Sequence, residues 1–133
     1  MQRREAREFV LSALYQREFT GATLEELLEE QTPGAQLEYI TTTFQGILER
    51  QPELDATIGE RTVGWRFERL ALIDRNILRI GVFELLHDDD VPPEVAMDEA
   101  VELAKKFGTD NARSFVNGIL DRIWQDASES GEG

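Results

Sequence analysis

Among side chains able to do chemistry, the chain offers one histidine, His87, followed at once by Asp88, Asp89 and Asp90. An imidazole beside three carboxylates has the donor types of a metal site, but four consecutive residues on one turn cannot all converge on one ion. The better reading is an imidazolium at a helix C-terminus, where the macrodipole and nearby carboxylates favour its charge. Glu25, Glu26, Glu29 and Glu30 have the types needed for general acid and base work. On a short amphipathic helix the same spacing describes a solvated face. The chain has no cysteine, which excludes disulfides, thiolate metal sites and thiol nucleophiles. No serine lies in a nucleophile elbow, and no glycine-rich phosphate loop follows a strand. Neither a catalytic residue, a metal nor a cofactor is expected.

Cationic residues are a different matter. Arg3, Arg4 and Arg7 bring three guanidiniums to one helix N-terminus, a donor cluster suited to phosphate oxygens; the alternative is solubilisation with pairing such as Arg4 to Glu8. A second basic spot comes from Lys105 and Lys106 at the end of one helix and Arg113 near the start of the next, joined by Phe107-Gly108-Thr109. Helix-end lysines also answer the macrodipole. Phe115, just beyond, would be a base-stacking platform if exposed and a core residue if buried.

These residues need elements to position them. Ala6, Phe9, Val10, Ala13 and Leu14 recur at helical spacing and predict an amphipathic helix over about residues 3–19, with Arg3, Arg4 and Arg7 toward its exposed side. Thr23 with Glu26 is a capping-box signature for a short helix that must stop at Pro33-Gly34. Leu37, Ile40, Phe44, Ile47 and Leu48 predict a third helix, ended by Gln51-Pro52. A less regular helical segment with Leu54, Ile58, Val63 and Trp65 follows. From Ala71 to His87 the chain is apolar on more than one face, as a central helix would be. Pro92-Pro93 suits a helix entry. Val95, Ala96, Ala100, Leu103, Ala104 and Phe107 form the next buried stripe, with Gly108 as a left-handed C-cap and Thr109 or Asp110 capping the helix that follows. That last helix buries Phe115, Val116, Ile119, Leu120 and Ile123. There is no β-alternation and no internal repeat, so the expectation is an all-α fold, a compact bundle of about seven helices.

The 133 residues and 41% apolar content suit one domain, expected over residues 1–125, with residues 126–133 as a flexible acidic tail. Against 27 acidic side chains stand 14 basic ones, giving −13, so the average surface repels phosphate and any nucleic-acid contact must be local. Residues 1–20 hold four arginines against three glutamates, whereas residues 21–60 hold one against nine acids. No apolar run approaches the ~18–20 residues of a membrane span, and the N-terminus lacks the apolar core of a secretion signal. A soluble cytoplasmic protein without membrane contact is expected.

The segment from Asp74 to Ile123, with ILR, FELL, VPPEVAMDEAVELAKKFGTD and SFVNGILDRI in order, resembles the NusB family of bacterial transcription antitermination factors. RREAREFVLSALYQ, from Arg3 to Gln16, is similar to that family's arginine-rich first helix. Together these cover about half the chain; residues 21–70 match only in length and helical character. The resemblance implies two packed helical subdomains and no enzymatic activity. It also implies binding of boxA RNA of ribosomal operon leaders together with NusE, a small-subunit ribosomal protein. The complex then loads on RNA polymerase with NusA and NusG. A related domain precedes rRNA cytosine methyltransferases, but the resemblance here is to the stand-alone factor. Some family members self-associate, so a homodimer of the free protein is compatible with it.

By position, the resemblance assigns Arg3, Arg4 and Arg7 to RNA contact from the first helix, and Lys105, Arg113 and Phe115 to a second RNA-facing region. Tyr15, Phe19, Arg79 and Glu84 match positions used for NusE. The chain departs from the family at Pro93 and Glu94, where a tyrosine and a lysine are frequent, at Asp98 for asparagine, and at Ser114 for a basic residue. Each change removes positive charge, adds negative charge or deletes a stacking ring, so weak RNA affinity alone and a shallow salt dependence are expected. The alternative is an acidic helical adaptor that binds a protein partner without reading RNA.

Overall fold

The structure, a computed structural model, describes residues 1–62 and 66–129. These form six α-helices, α1 (Arg3–Thr20), α2 (Leu24–Leu28), α3 (Leu37–Gly59), α4 (Leu72–His87), α5 (Pro93–Phe107) and α6 (Ala112–Glu129), with 3-10 turns at Gly34–Gln36 and Phe67–Arg69. No strand occurs among the described residues. The all-α expectation holds, with six α-helices in place of about seven.

Local chemistry sets most of the boundaries. Gln2 and Glu5 close a capping box at the start of α1, and Gly21, at φ 67°, ends it with its N–H donating to the Arg17 carbonyl. Thr23 and Glu26 form the capping box of α2. Pro93 opens α5, where a missing N–H costs nothing.

Four expectations are corrected. Pro52 does not end the third helix but lies inside α3. A proline there costs ~3 kcal/mol or more. The register continues through it, however, from Ile40, Phe44 and Ile47 to Leu54 and Ile58, all buried. Burying those last two side chains returns ~1.5–3 kcal/mol each. Gly108 is extended, at φ −78°, not left-handed. It is required for closeness instead, because a Cβ there would lie 2.7 Å from Ala112 Cβ and 2.8 Å from the Ala104 carbonyl oxygen. Val95 and Phe107 are exposed rather than core. Val95 falls on the flank of the α5 stripe, and Phe107 lies on the stripe but at the helix's last residue. Finally, α6 runs on through Glu129 with Ala127 buried, so the acidic tail does not begin at residue 126; residues 130–133, like Val63 and Trp65, lie outside the described residues.

The core is one cluster. α4 packs on α1, α3, α5 and α6, and Ile77, Leu78, Ile80, Val82, Phe83 and Leu85 are buried around it. α1 and α3 pack on each other and on α4, and α5 and α6 pack on each other and on α4. α4 is therefore the shared wall of the two expected subdomains. Gly46 lets α3 approach this wall, since a Cβ there would run into the Phe83 ring.

Candidate nucleic-acid interface

Arg3, Arg4 and Arg7 of α1 do not share a surface. Arg3 is exposed, with its guanidinium 4.3 Å over the Tyr39 ring and its Nε donating to Gln36 Oε1 at 2.6 Å. Arg4 is also exposed and reaches across to α5, where its Nη2 lies 3.1 Å from Glu99 Oε2. Hydrogen bonding and charge from Glu99 raise its pKa further.

Arg7 is 3% exposed, which corrects its assignment to RNA contact. Its Nε and Nη2 donate to the Glu84 carboxylate at 2.8–2.9 Å, and Glu84 also accepts from the Tyr39 hydroxyl at 2.9 Å. Burial works against the Arg7 charge, but the Glu84 hydrogen bond and charge outweigh it and hold the pKa above its ordinary value. Burial first, and then the Glu84 charge, push the Tyr39 phenol up, so it stays a donor.

Glu84 and Arg79 are corrected as partner-facing residues for the same reason. Glu84 is 1% exposed and Arg79 5%. Arg79 donates from Nε and Nη2 to Asp55 at 2.7 and 2.9 Å, and from Nη1 to Asn76 Oδ1 at 2.8 Å, tying α4 to α3. Both belong to the interior of the bundle.

Of the candidates that remain at the surface, Arg4, Lys105, Tyr15 and Phe115 line three adjoining depressions. The first, about 320 Å³, lies between α1 and α5 and is edged by Arg4, Glu8, Glu99, Lys105 and Lys106. Cations and carboxylates alternate there: Lys106 Nζ is 3.0 Å from Glu8, and Lys105 Nζ 3.4 Å from Glu102. The second, about 430 Å³, is mainly apolar, with Leu11, Tyr15, Leu72, Ile73 and Phe107, and shares Glu8 with the first. Tyr15 and the more exposed Phe19 pack with ring centroids 5.1 Å apart. The third, about 830 Å³, shares Ala71 with the second and runs along α6 past Ser114, Phe115 and Arg122. Phe115 is half-buried at its wall. Arg113 is exposed and makes no hydrogen bond or ion pair among the described residues.

The α5–α6 turn that carries this second basic region is fixed from α4. Asp74, 2% exposed, accepts the Thr109 N–H at 3.1 Å and the Thr109 hydroxyl at 2.6 Å. The Thr109 side chain is thus spent on α4 rather than capping α6.

At His87 the sequence expectation of an imidazolium is corrected. Burial, then the positive charge of Arg50, lower its pKa, and Glu53 at 3.9 Å only partly opposes them. No group of three or more His, Asp or Glu residues able to hold a metal ion occurs among the described residues. No helix among them is long and apolar enough to cross a membrane.

Sequence reasoning missed Phe107 as surface, the half-buried Leu72 and Ile73 as lining of the apolar depression, and Arg69 and Arg122 as groove residues. The burial of Arg7 did have a signal: Val10, Leu11 and Leu14 follow it at i+3, i+4 and i+7, the buried phase of α1.

Comparison with known proteins agrees with the resemblance. The family model described as the NusB family matches residues 4–125. The transcription antitermination protein NusB of Pseudothermotoga lettingae is 42% identical over 125 residues, covering 91% of this chain and 89% of that protein. That of Bacillus subtilis is 39% identical over 131 residues, covering 98% and 100%. Among solved structures, T. maritima NusB superposes with a TM-score of 0.86 at 40% identity, covering 95% of this chain and 92% of that one. A crystal structure of antitermination factors NusB and NusE in complex with dsRNA gives 0.80 at 28% identity, covering 93% and 96%. With an all-helical core of the same shape and a match over nearly its whole length, this chain belongs to the NusB family, whose named role is transcription antitermination and not catalysis.

Proposed function

We propose that the protein binds single-stranded boxA RNA of ribosomal operon leaders jointly with NusE. The pair then joins RNA polymerase with NusA and NusG in a cytoplasmic antitermination complex. The observation that carries this reading is the row of adjoining depressions, in which an apolar pocket is flanked by two surfaces bearing arginine and lysine on a chain of net charge −13. Likeness to a NusB structure solved with NusE and RNA supports it.

Arg3, Arg4, Lys105, Arg113 and Phe115 are the RNA residues in this reading. Guanidiniums and ammonium take phosphate oxygens, and the Phe115 ring offers an edge on which an unpaired base can rest. Tyr15 and Phe19 anchor NusE, with Phe107 completing the apolar pocket, in keeping with the aromatic character of interface centres. Arg7, Glu84 and Arg79 act at one remove, by holding α1, α3 and α4 in place. Because Arg4 and Lys106 already face carboxylates, phosphate must compete for them, and the free protein binds RNA weakly.

The test is a titration of labelled boxA RNA and a scrambled RNA of equal length, with and without NusE. Preference for boxA in the presence of NusE is expected. Replacing Arg3 and Arg4 by alanine lowers boxA affinity about tenfold and leaves NusE binding unchanged. Equal binding of both RNAs would remove this reading in favour of the protein-only adaptor.

A further inference from the structure

We propose that the groove along α6 holds a further stretch of single-stranded RNA through Arg69 and Arg122, beyond the strand segment assigned to α1 and the α5–α6 turn. The proposal rests on the RNA-binding reading and extends its site past Phe115.

Three segments converge on this groove and each brings an arginine: Arg61 in the turn just after α3, Arg69 in the 3-10 turn and Arg122 on α6. They are not equally committed. Arg61 is held by Asp126 at 2.8 Å and Glu60 at 3.1 Å, and so forms a wall. Arg122 is exposed and gives only one donor, Nη1 to the Arg61 carbonyl at 2.9 Å, which fixes its direction and leaves the rest of its fork open. Arg69 is exposed and makes no side-chain hydrogen bond or ion pair among the described residues.

The acids of the groove oppose them weakly. Asp74 is buried, and both its oxygens are taken by Thr109. Asp110 is the exposed carboxylate of the groove. Two guanidiniums with open donors against one open carboxylate is a local reversal of the molecule's sign. On so acidic a surface it is where a polyanion meets attraction.

The floor suits a chain rather than a compact ligand. Ser114, Gly118 and Arg122 follow one another at i, i+4 and i+8, on one face of α6. A Cβ at Gly118 would meet nothing within 4 Å, so the helix surface is open between Phe115 and Arg122. A base resting at Phe115 would place the following phosphates along this face, where a guanidinium fork binds phosphate oxygens in pairs. Direct phosphate contact of this kind is sequence-independent.

The experiment compares two labelled RNAs, boxA alone and boxA extended at both ends, with NusE present and over a range of salt. Arg69→Ala/Arg122→Ala is expected to weaken the extended RNA about tenfold and leave boxA alone within about twofold. The slope of log affinity against log salt should become shallower by about 1.4, near 0.7 for each lost phosphate contact on a single strand. Arg69→Lys/Arg122→Lys should restore the slope. Both positions are exposed, and an unchanged melting temperature confirms intact folding. If the double alanine variant binds the extended RNA with the parent's affinity and slope, while Arg3→Ala/Arg4→Ala loses both RNAs, the groove proposal fails and the RNA-binding reading stands. If the parent binds neither RNA, both fail. If the variant loses NusE and not RNA, the groove belongs to protein contact and the proposal is overturned.

Discussion

Arg4 and Arg7 stand one turn apart on α1, and each is bound to a glutamate, yet the two regions they define are unlike. Around Arg7 the groups are sealed in: its side chain is 4% exposed and that of its Glu84 partner 2%. Around Arg4 the side chain is 63% exposed and that of Glu99 15%. The same pair of residue types is therefore a fastening in one place and an exchangeable contact in the other. Water decides which. A buried carboxylate that loses its partner has no solvent to turn to, whereas an exposed arginine can trade a glutamate for a phosphate at little cost.

The largest expected effect breaks the buried region. Glu84→Ala strips Arg7 of its two-point carboxylate partner in the interior and leaves it only the longer contact to Glu99 at 3.5 Å, removes the acceptor of Tyr39, and should cost ~3 kcal/mol of stability in a denaturant titration. A loss below about 1 kcal/mol would mean that Arg7 escapes to solvent and that the contrast with Arg4 is false. Arg4→Ala sharpens the other half of the comparison: an exposed pair of this kind contributes little, and the melting temperature should stay close to that of the parent. The smallest effect concerns His87, which sits between the two extremes of exposure. Its pKa is lowered in the folded protein, so the unfolded chain takes up the proton first as pH falls. Its contribution is thus fully present above the ordinary value of about 6.5 and is lost as pH falls from there through the lowered folded pKa. His87→Gln should flatten the dependence of melting temperature on pH between about 7.5 and 5.5, and an unchanged profile would show that the imidazole is not desolvated.

The helices legible in the sequence were those set by local chemistry and unbroken periodicity: α1 from its apolar spacing, α2 from Thr23 and Glu26, α4 from its all-round apolar surface, α5 from Pro92-Pro93, and α6 from Val116, Ile119, Leu120 and Ile123. Pro52 misled because the local rule against an interior proline was overridden by tertiary burial of Leu54 and Ile58. Gly108 misled because closeness to Ala104 and Ala112, not backbone sign, requires it. At the candidate interface, the types of residue were visible and their exposure was not. Arg79 and Glu84 lie midway along the most buried helix, and a charged side chain there announces an internal partner rather than a surface. Arg69 and Arg122 are far apart in sequence and come to line one groove only in the folded chain, a juxtaposition that no helical period encodes.

The contact of Arg7, Glu84 and Tyr39 draws one group from each of α1, α4 and α3. Apolar side chains alone tolerate sliding, because one leucine fits nearly as well against its neighbour's neighbour. A slide of α1 by a single turn would strand a cation and an anion several ångströms apart in a medium that screens neither. The three groups therefore work as a key that only one alignment of the helices satisfies, and the position in which Arg3 and Arg4 reach the surface is set from inside the bundle.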